Sequence, residues 1–192
     1  MLDMRSPLPA GSRITLLSTG SIFEITGAPM GFGGGGIIYP ARRMILEQGS
    51  LQPDGLCYAL KECYPASDSR EFIRTETGEI AGRDPVCQES LESARQRYAT
   101  EKDRNQAIHV TASRMLPILE STHQISLALP GQEARPVENA VSVMESLENK
   151  GRSLSDCLAE RRRFQALETC RILQQLLFAL RDSRGAHVSR LG

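Results

Sequence analysis

The sequence predicts an α+β protein in which strands dominate residues 14–147 and helices follow over 153–182. Short apolar runs rich in β-branched and aromatic residues recur between turn-forming stretches, as strands do. Residues 88–113 lack Gly and Pro and are rich in Glu, Arg, Ala and Gln, which is typical of a helix. From Phe164 onward apolar residues return every three or four positions, which marks one face of a second helical segment.

Composition excludes several classes of partner. The 192 residues carry 23 Lys+Arg against 23 Asp+Glu, so no net charge favours nucleic acid or an anionic membrane. No apolar run approaches the roughly 18 residues of a membrane span, and the N-terminus lacks a signal-peptide core. The five cysteines are odd in number and form no CxxC pair, which indicates reduced thiols. We therefore expect a cytoplasmic segment without nucleic-acid or membrane partners.

The strands and their connections can be placed along the chain. Residues 1–13 are predicted to be a flexible N-terminus, and the polar residues 64–87 an irregular insertion. Pro53-Asp54-Gly55 predicts a turn before the fourth strand. Ser153-Leu154-Ser155-Asp156 has the form of a helix N-terminal capping box. The predicted strands are 14–18, 22–26, 37–41, 56–63, 125–129 and 139–147.

Six of the 16 glycines fall within residues 27–36, and Gly31 to Gly36 fit the pattern G-x-G-x-x-G. A dinucleotide-binding turn needs a helix after the run, but Ile37-Ile38-Tyr39-Pro40 favours a strand and blocks a helix. A Walker phosphate loop needs Gly-Lys-Ser/Thr, which is missing here. The third interpretation is a glycine-rich flap between antiparallel strands, whose backbone could close over a triphosphate.

The lysine that follows strengthens the third interpretation. Only three of the 23 basic residues are lysines, at positions 61, 102 and 150, so a generic surface cation here would more often be arginine. Lys61 ends the run Tyr58-Ala59-Leu60-Lys61 on the strand after the glycines. Together, Gly31, Gly33, Gly36, this run and its lysine resemble the amino-terminal lobe of a eukaryotic-type, bacterial-looking serine/threonine protein kinase.

The resemblance implies a fold and a nucleotide site. The fold would be an antiparallel five-stranded sheet with one helix, followed by two helices of an incomplete carboxyl-terminal lobe. Gly31, Gly33 and Gly36 would cover the phosphates of ATP, and Lys61 would hold them. The adenine pocket would be formed by Ile38, Ala59, Met144, Glu145 and Leu147, the last two through their backbone groups.

In that family a helix glutamate orients the lysine, and Glu101 is the choice the resemblance favours here. Glu92 and Asp103 are rival positions, and the alternative for Glu101 is a solvated charge on a helix face. Catalysis would be assigned to Lys61 and Glu101 on this basis. The Mg²⁺ that accompanies ATP in the family has no ligand motif in this chain, and no catalytic loop follows the second helical segment.

The expected organisation is a flexible N-terminus at 1–13, a kinase-like lobe at 14–147, and hinge with helices at 148–182. Residues 183–192 are predicted to be a tail, either genuine or frame-disrupted. The complete parent would transfer the γ-phosphoryl group of ATP to Ser or Thr of a protein. The alternatives are a catalytically inactive module that binds nucleotide or a partner, and a non-functional fragment.

Overall fold

The computed structural model describes residues 5–66, 71–100, 103, 118–146, 165 and 168–178. The chain divides into two compact units. The first contains Met1–Lys102 and Ile118–Ser146, and the second contains Asp103–Pro117 and Leu147–Gly192.

The described residues of the first unit form nine strands and one helix. Seven strands build a single antiparallel sheet, and two short ones form a separate hairpin. The elements are β1 (Arg13–Leu16), β2 (Ile22–Ile25), β3 (Gly31–Gly33), β4 (Gly36–Glu47), β5 (Ser50–Cys63), β6 (Phe72–Arg74), β7 (Ile80–Gly82), α1 (Pro85–Ala99), β8 (Ile118–Ala128) and β9 (Arg135–Glu145).

The large sheet closes on itself. Its strand order is β2-β1-β8-β9-β5-β4-β3, and β2 also pairs with β4, so six strands form a closed antiparallel barrel. The predicted kinase-lobe sheet of five strands followed by helices is therefore wrong. The physical reason is β1, which pairs with both β2 and β8 and so joins strands that would otherwise be sheet edges.

The barrel encloses the main core. Neighbouring residues on β4 and β5 alternate between the two faces, so that Ile37, Tyr39 and Leu60 point inward and are fully buried. The other strands contribute in the same way: Ile14, Leu16, Phe23, Ile25, Ile125, Leu127, Val141 and Val143. Apolar burial on this scale is the main stabilising term of the unit.

The turn between β4 and β5 is not at the predicted position. Gln48 and Gly49 both have positive φ, of 50° and 81°, and they reverse the chain. Pro53-Asp54-Gly55 instead lies inside β5, where the pairing register with β4 shifts between Arg42 and Met44. The Asp54 carboxylate accepts hydrogen bonds from the Leu56 amide and the Tyr58 hydroxyl, so this sequence builds a bulge instead of a hairpin turn.

The helix α1 begins earlier than expected. Asp84 caps it by accepting a hydrogen bond from the Cys87 amide, and Pro85 occupies the first turn, where no partner for its nitrogen is needed. The predicted helix over 88–113 is confirmed as far as Ala99. Most of its remainder lies outside the described residues. Ala94 and Tyr98 of α1 pack with Cys63 of β5 and Ala140 of β9 on the outside of the barrel.

The insertion before α1 is more regular than predicted, because β6 and β7 form a hairpin within 64–87. Arg74 of this hairpin fastens it to the barrel through the buried carboxylate of Glu62, with Nη2–Oε2 at 2.6 Å. The same carboxylate accepts hydrogen bonds from the Tyr39 hydroxyl and the Asn139 amide. A buried carboxylate with this many donors is fully satisfied.

The second unit contributes one described helix, α2, over 168–178. It confirms that part of the helical segment predicted for 153–182, and the rest falls outside the described residues. Leu173, Leu176 and Leu177 on α2 are exposed. In the part of the chain that the structure describes, no helix is both long and apolar enough to span a membrane.

Candidate functional site

The predicted nucleotide-site residues of three strands fall on one surface. Ile38 of β4 is paired with Lys61 of β5, and Lys61 is paired with Ser142 of β9. Cross-strand partners point to the same side of a sheet, so these three side chains share a face. Because the residues on either side of them are buried in the barrel, this shared face is the outer face of β4, β5 and β9.

A second row lies two residues along the same face. Ala59 of β5 is paired with Pro40 of β4 and with Met144 of β9. Ala59 is buried, whereas Met144 and Ile38 are half-buried. The outer face therefore presents a small apolar surface formed by Ile38, Ala59 and Met144, with Lys61 at one end of it.

The glycine run forms a tight hairpin between β3 and β4, with Gly31 opposite Ile38 and Gly33 opposite Gly36. Gly36 is required by its surroundings, because a Cβ there would come within 2.1 Å of the Glu62 carbonyl oxygen. We call residues 31–36 the glycine hairpin. It continues from the strand that carries Ile38, so it adjoins the Lys61 end of the outer face.

Gly31 and Gly34 are different. A Cβ at either position would meet nothing within 4 Å, and neither has a φ in the left-handed region. Glycine in a strand or hairpin costs about 0.5–1 kcal/mol relative to alanine through backbone entropy. The described fold therefore supplies neither a contact nor a backbone angle that calls for glycine at these two positions.

Tyr98 of α1 connects Lys61 to the glycine hairpin. The Lys61 Nζ atom lies 4.7 Å from the centroid of the Tyr98 ring, a cation–π distance. The Tyr98 hydroxyl donates a hydrogen bond of 2.9 Å to the Gly35 carbonyl oxygen. One aromatic side chain thus contacts the lysine and fixes the hairpin at the same time.

The remaining predicted residues are only partly placed. Glu145 ends β9 opposite Tyr58 and is half-buried. Leu147 and Glu101 lie outside the described residues, so the predicted Lys61–Glu101 pair stays a prediction. The rival Glu92 lies on α1, where it accepts a hydrogen bond from Gln88 and lines a cavity on the β8–β9 side of the helix. Within the described ranges, no three His, Cys, Asp or Glu side chains converge on a possible metal position.

Two side chains of α1, Tyr98 and Arg95, were not among the site residues predicted from the sequence. Tyr98 belongs to the thin apolar stripe of α1, which indicates packing and gives no sign of a lysine contact. Arg95 resembles an ordinary helix-face cation in the sequence, yet it is only 5% exposed. The spacing of Tyr98 and Arg95 from Leu91 and Ala94 on the same helix was the available signal for their burial.

Comparison with known proteins found one similar solved structure. No protein-family model matches the sequence, and no curated protein is similar to it. One solved structure, described as PpkA-294 in its apo form, is similar with a TM-score of 0.44 and 18% sequence identity. The similarity covers 74% of this chain and 41% of that one, so the chain spans about two fifths of its length.

Proposed function

We propose that the chain binds ATP on the outer face of β4, β5 and β9, with the glycine hairpin over the phosphates. The observation that carries this proposal is the pair of glycines, Gly31 and Gly34, for which the described fold supplies no reason. A ligand whose phosphates approach the backbone closely gives glycine a purpose there, since any Cβ would hold them off.

Lys61 supplies the charge that such a site needs. Its ammonium group lies on the outer face at the end nearest the hairpin, against the ring of Tyr98. A phosphate oxygen carries a full negative charge and accepts charge-assisted hydrogen bonds, whereas an aromatic ring offers a lysine only its quadrupole. Triphosphate is therefore a stronger partner for Lys61 than the Tyr98 ring is, and in the proposal the ammonium group turns from the ring toward the phosphates.

The apolar part of the face suits the base. Ile38, Ala59 and Met144 form a small apolar surface across three strands, and small-ligand sites in proteins are lined mainly by such side chains. The adenine ring would lie against this surface, while the phosphates extend toward Lys61.

The proposal extends to the parent activity that the sequence suggests, which is transfer of the ATP γ-phosphoryl group to a Ser or Thr of a protein. The described residues contain no group of His, Cys, Asp or Glu side chains that fits Mg²⁺. In this proposal ATP binding is the part of the activity assigned to the described residues.

Titration of the chain with a fluorescent ATP analogue, with and without Mg²⁺, and displacement by unlabelled ATP test the proposal. Lys61→Met should weaken ATP binding by about tenfold or more, because one charge-assisted contact is worth at least about 1.5 kcal/mol. The matched control is Arg13→Gln, which removes an exposed cation from β1, where it pairs with Glu24. Equal affinities for Lys61→Met and the parent chain would contradict the proposal.

A further inference from the structure

A cavity of about 490 Å³ opens between α1 and strands β8 and β9, within the first unit. Its volume falls in the range of about 300–1,000 Å³ that small-molecule sites occupy. The described residues that line it have polar side chains of both charges: Arg95 and Glu92 come from α1, His123 and Gln124 from β8, and Glu138 from β9. None of the described residues assigned to the nucleotide site lines it.

Arg95 is the unusual member of this lining. It is 5% exposed, and burial lowers the pKa of its guanidinium. Its Nη2 donates to the Ile80 carbonyl oxygen at 2.6 Å, but its buried Nε has no hydrogen-bond partner. Among the described residues no carboxylate forms an ion pair with Arg95. A buried cation without an ion-pair partner lowers the stability of the fold unless an anion binds to it.

The rim of the cavity has the opposite charge. Glu92 and Glu138 are exposed, and both line the opening together with the exposed His123. Glu79, Glu138 and Glu92 all favour the charged form of Arg95 and so oppose the lowering of its pKa by burial, Glu79 most strongly, yet none of the three forms an ion pair with it. The cavity therefore offers a positive group at its floor and two negative groups at its rim.

We propose that this cavity binds a free α-amino acid. The ligand carboxylate would accept hydrogen bonds from the Arg95 guanidinium, and its ammonium group would face Glu92 and Glu138. A dianion such as phosphate is repelled by the two rim carboxylates, and a simple amine is repelled by the arginine. A zwitterion whose two charges are a few bonds apart can pair with the arginine through its carboxylate and with the glutamates through its ammonium group. Gln124 can form hydrogen bonds with polar atoms of the side chain of the bound amino acid.

Calorimetric titration of the full chain with L-glutamine, L-alanine and L-phenylalanine tests the proposal. We expect at least one of them to bind. The N-acetyl derivative, which lacks the ammonium, and the α-carboxamide, which lacks the carboxylate, should each bind about tenfold or more weakly than that amino acid. If none of the three amino acids gives a heat of binding at about 20 mM, the Kd lies well above the millimolar range, and the proposal is overturned. Tighter binding of inorganic phosphate than of the amino acids overturns it as well.

Two variants separate the two charges. Arg95→Gln should abolish binding, and because this buried position also contributes to packing, Glu138→Gln provides the second test on an exposed residue. Glu138→Gln should weaken amino-acid binding several-fold. It should also reduce the ratio between the affinity for the amino acid and the affinity for its N-acetyl derivative, and an unchanged ratio overturns the proposal. Lys61→Met should leave amino-acid binding intact, so failure of the nucleotide proposal and failure of this one are distinguishable.

Discussion

The Tyr98 side chain holds Lys61 and the glycine hairpin together. The lysine Nζ lies 4.7 Å from the Tyr98 ring centroid, and the Tyr98 hydroxyl donates to the Gly35 carbonyl oxygen at 2.9 Å. A single residue of α1 thereby links the helix to the strand that carries the lysine and to the hairpin beyond it.

Replacing Tyr98 by Phe should loosen the hairpin without releasing Lys61, because the ring remains and the hydroxyl is lost. The free energy of unfolding should fall by about 1 kcal/mol, the net worth of one hydrogen bond, and amide exchange in residues 33–36 should accelerate. Hydrogen exchange with mass spectrometry measures this. Tyr58→Phe is the control, since its hydroxyl bonds Asp54 at the β5 bulge, and it should leave exchange in the hairpin unchanged.

Substitutions at Gly34 should separate ligand binding from folding. A Cβ there meets nothing within 4 Å, so Gly34→Ala and Gly34→Val should leave the melting temperature within about 2 °C of the parent. ATP affinity should fall in proportion to size, by about tenfold for valine. The control is Gly27→Ala, where the added Cβ makes ordinary contact with Pro40 outside the hairpin. Unchanged ATP affinity in Gly34→Val would argue against close approach of the phosphates.

The buried Glu62–Arg74 pair should be a major determinant of stability. Glu62→Gln removes the charge that compensates Arg74, whose side chain is only 6% exposed, and should cost about 3–5 kcal/mol in urea denaturation. The double variant Glu62→Gln/Arg74→Met removes both charges. It should lose less than the sum of the two single variants, because contacting residues are coupled. Strict additivity would mean that the two side chains do not stabilise each other.

The sequence predicts the local elements of this protein better than it predicts the closure of the sheet into a barrel. The pairing of Ile38 with Lys61 follows from two strands adjacent in the chain, which a local pattern can indicate. The pairing of Arg13 with Ala128 joins residues more than a hundred positions apart and depends on barrel packing that no local pattern encodes. For the same reason the role of Tyr98 could not be predicted, since its partners Lys61 and Gly35 come from other elements.

Acid should weaken the barrel partly through Glu24 of β2. Its hydrogen bond from Arg42, and a further one from Arg13, hold the pKa of this carboxyl below its ordinary value of 4.5. A lowered folded-state pKa contributes stability above the unfolded value and loses it as pH falls through the folded value. Glu24→Gln should therefore destabilise the chain at neutral pH, and the difference from the parent should shrink as pH falls from about 5 to 3. Urea titrations across this range measure it.

The most direct test of the nucleotide site uses the scarcity of lysine. An acyl phosphate derivative of ATP acylates a lysine amine that lies beside its phosphates, forming an amide and releasing the nucleotide. The chain offers three candidates, Lys61, Lys102 and Lys150, and peptide mass spectrometry can distinguish them. The proposed site predicts that Lys61 is acylated first and that excess ATP prevents it. Equal acylation of all three lysines, unaffected by ATP, would contradict the proposal.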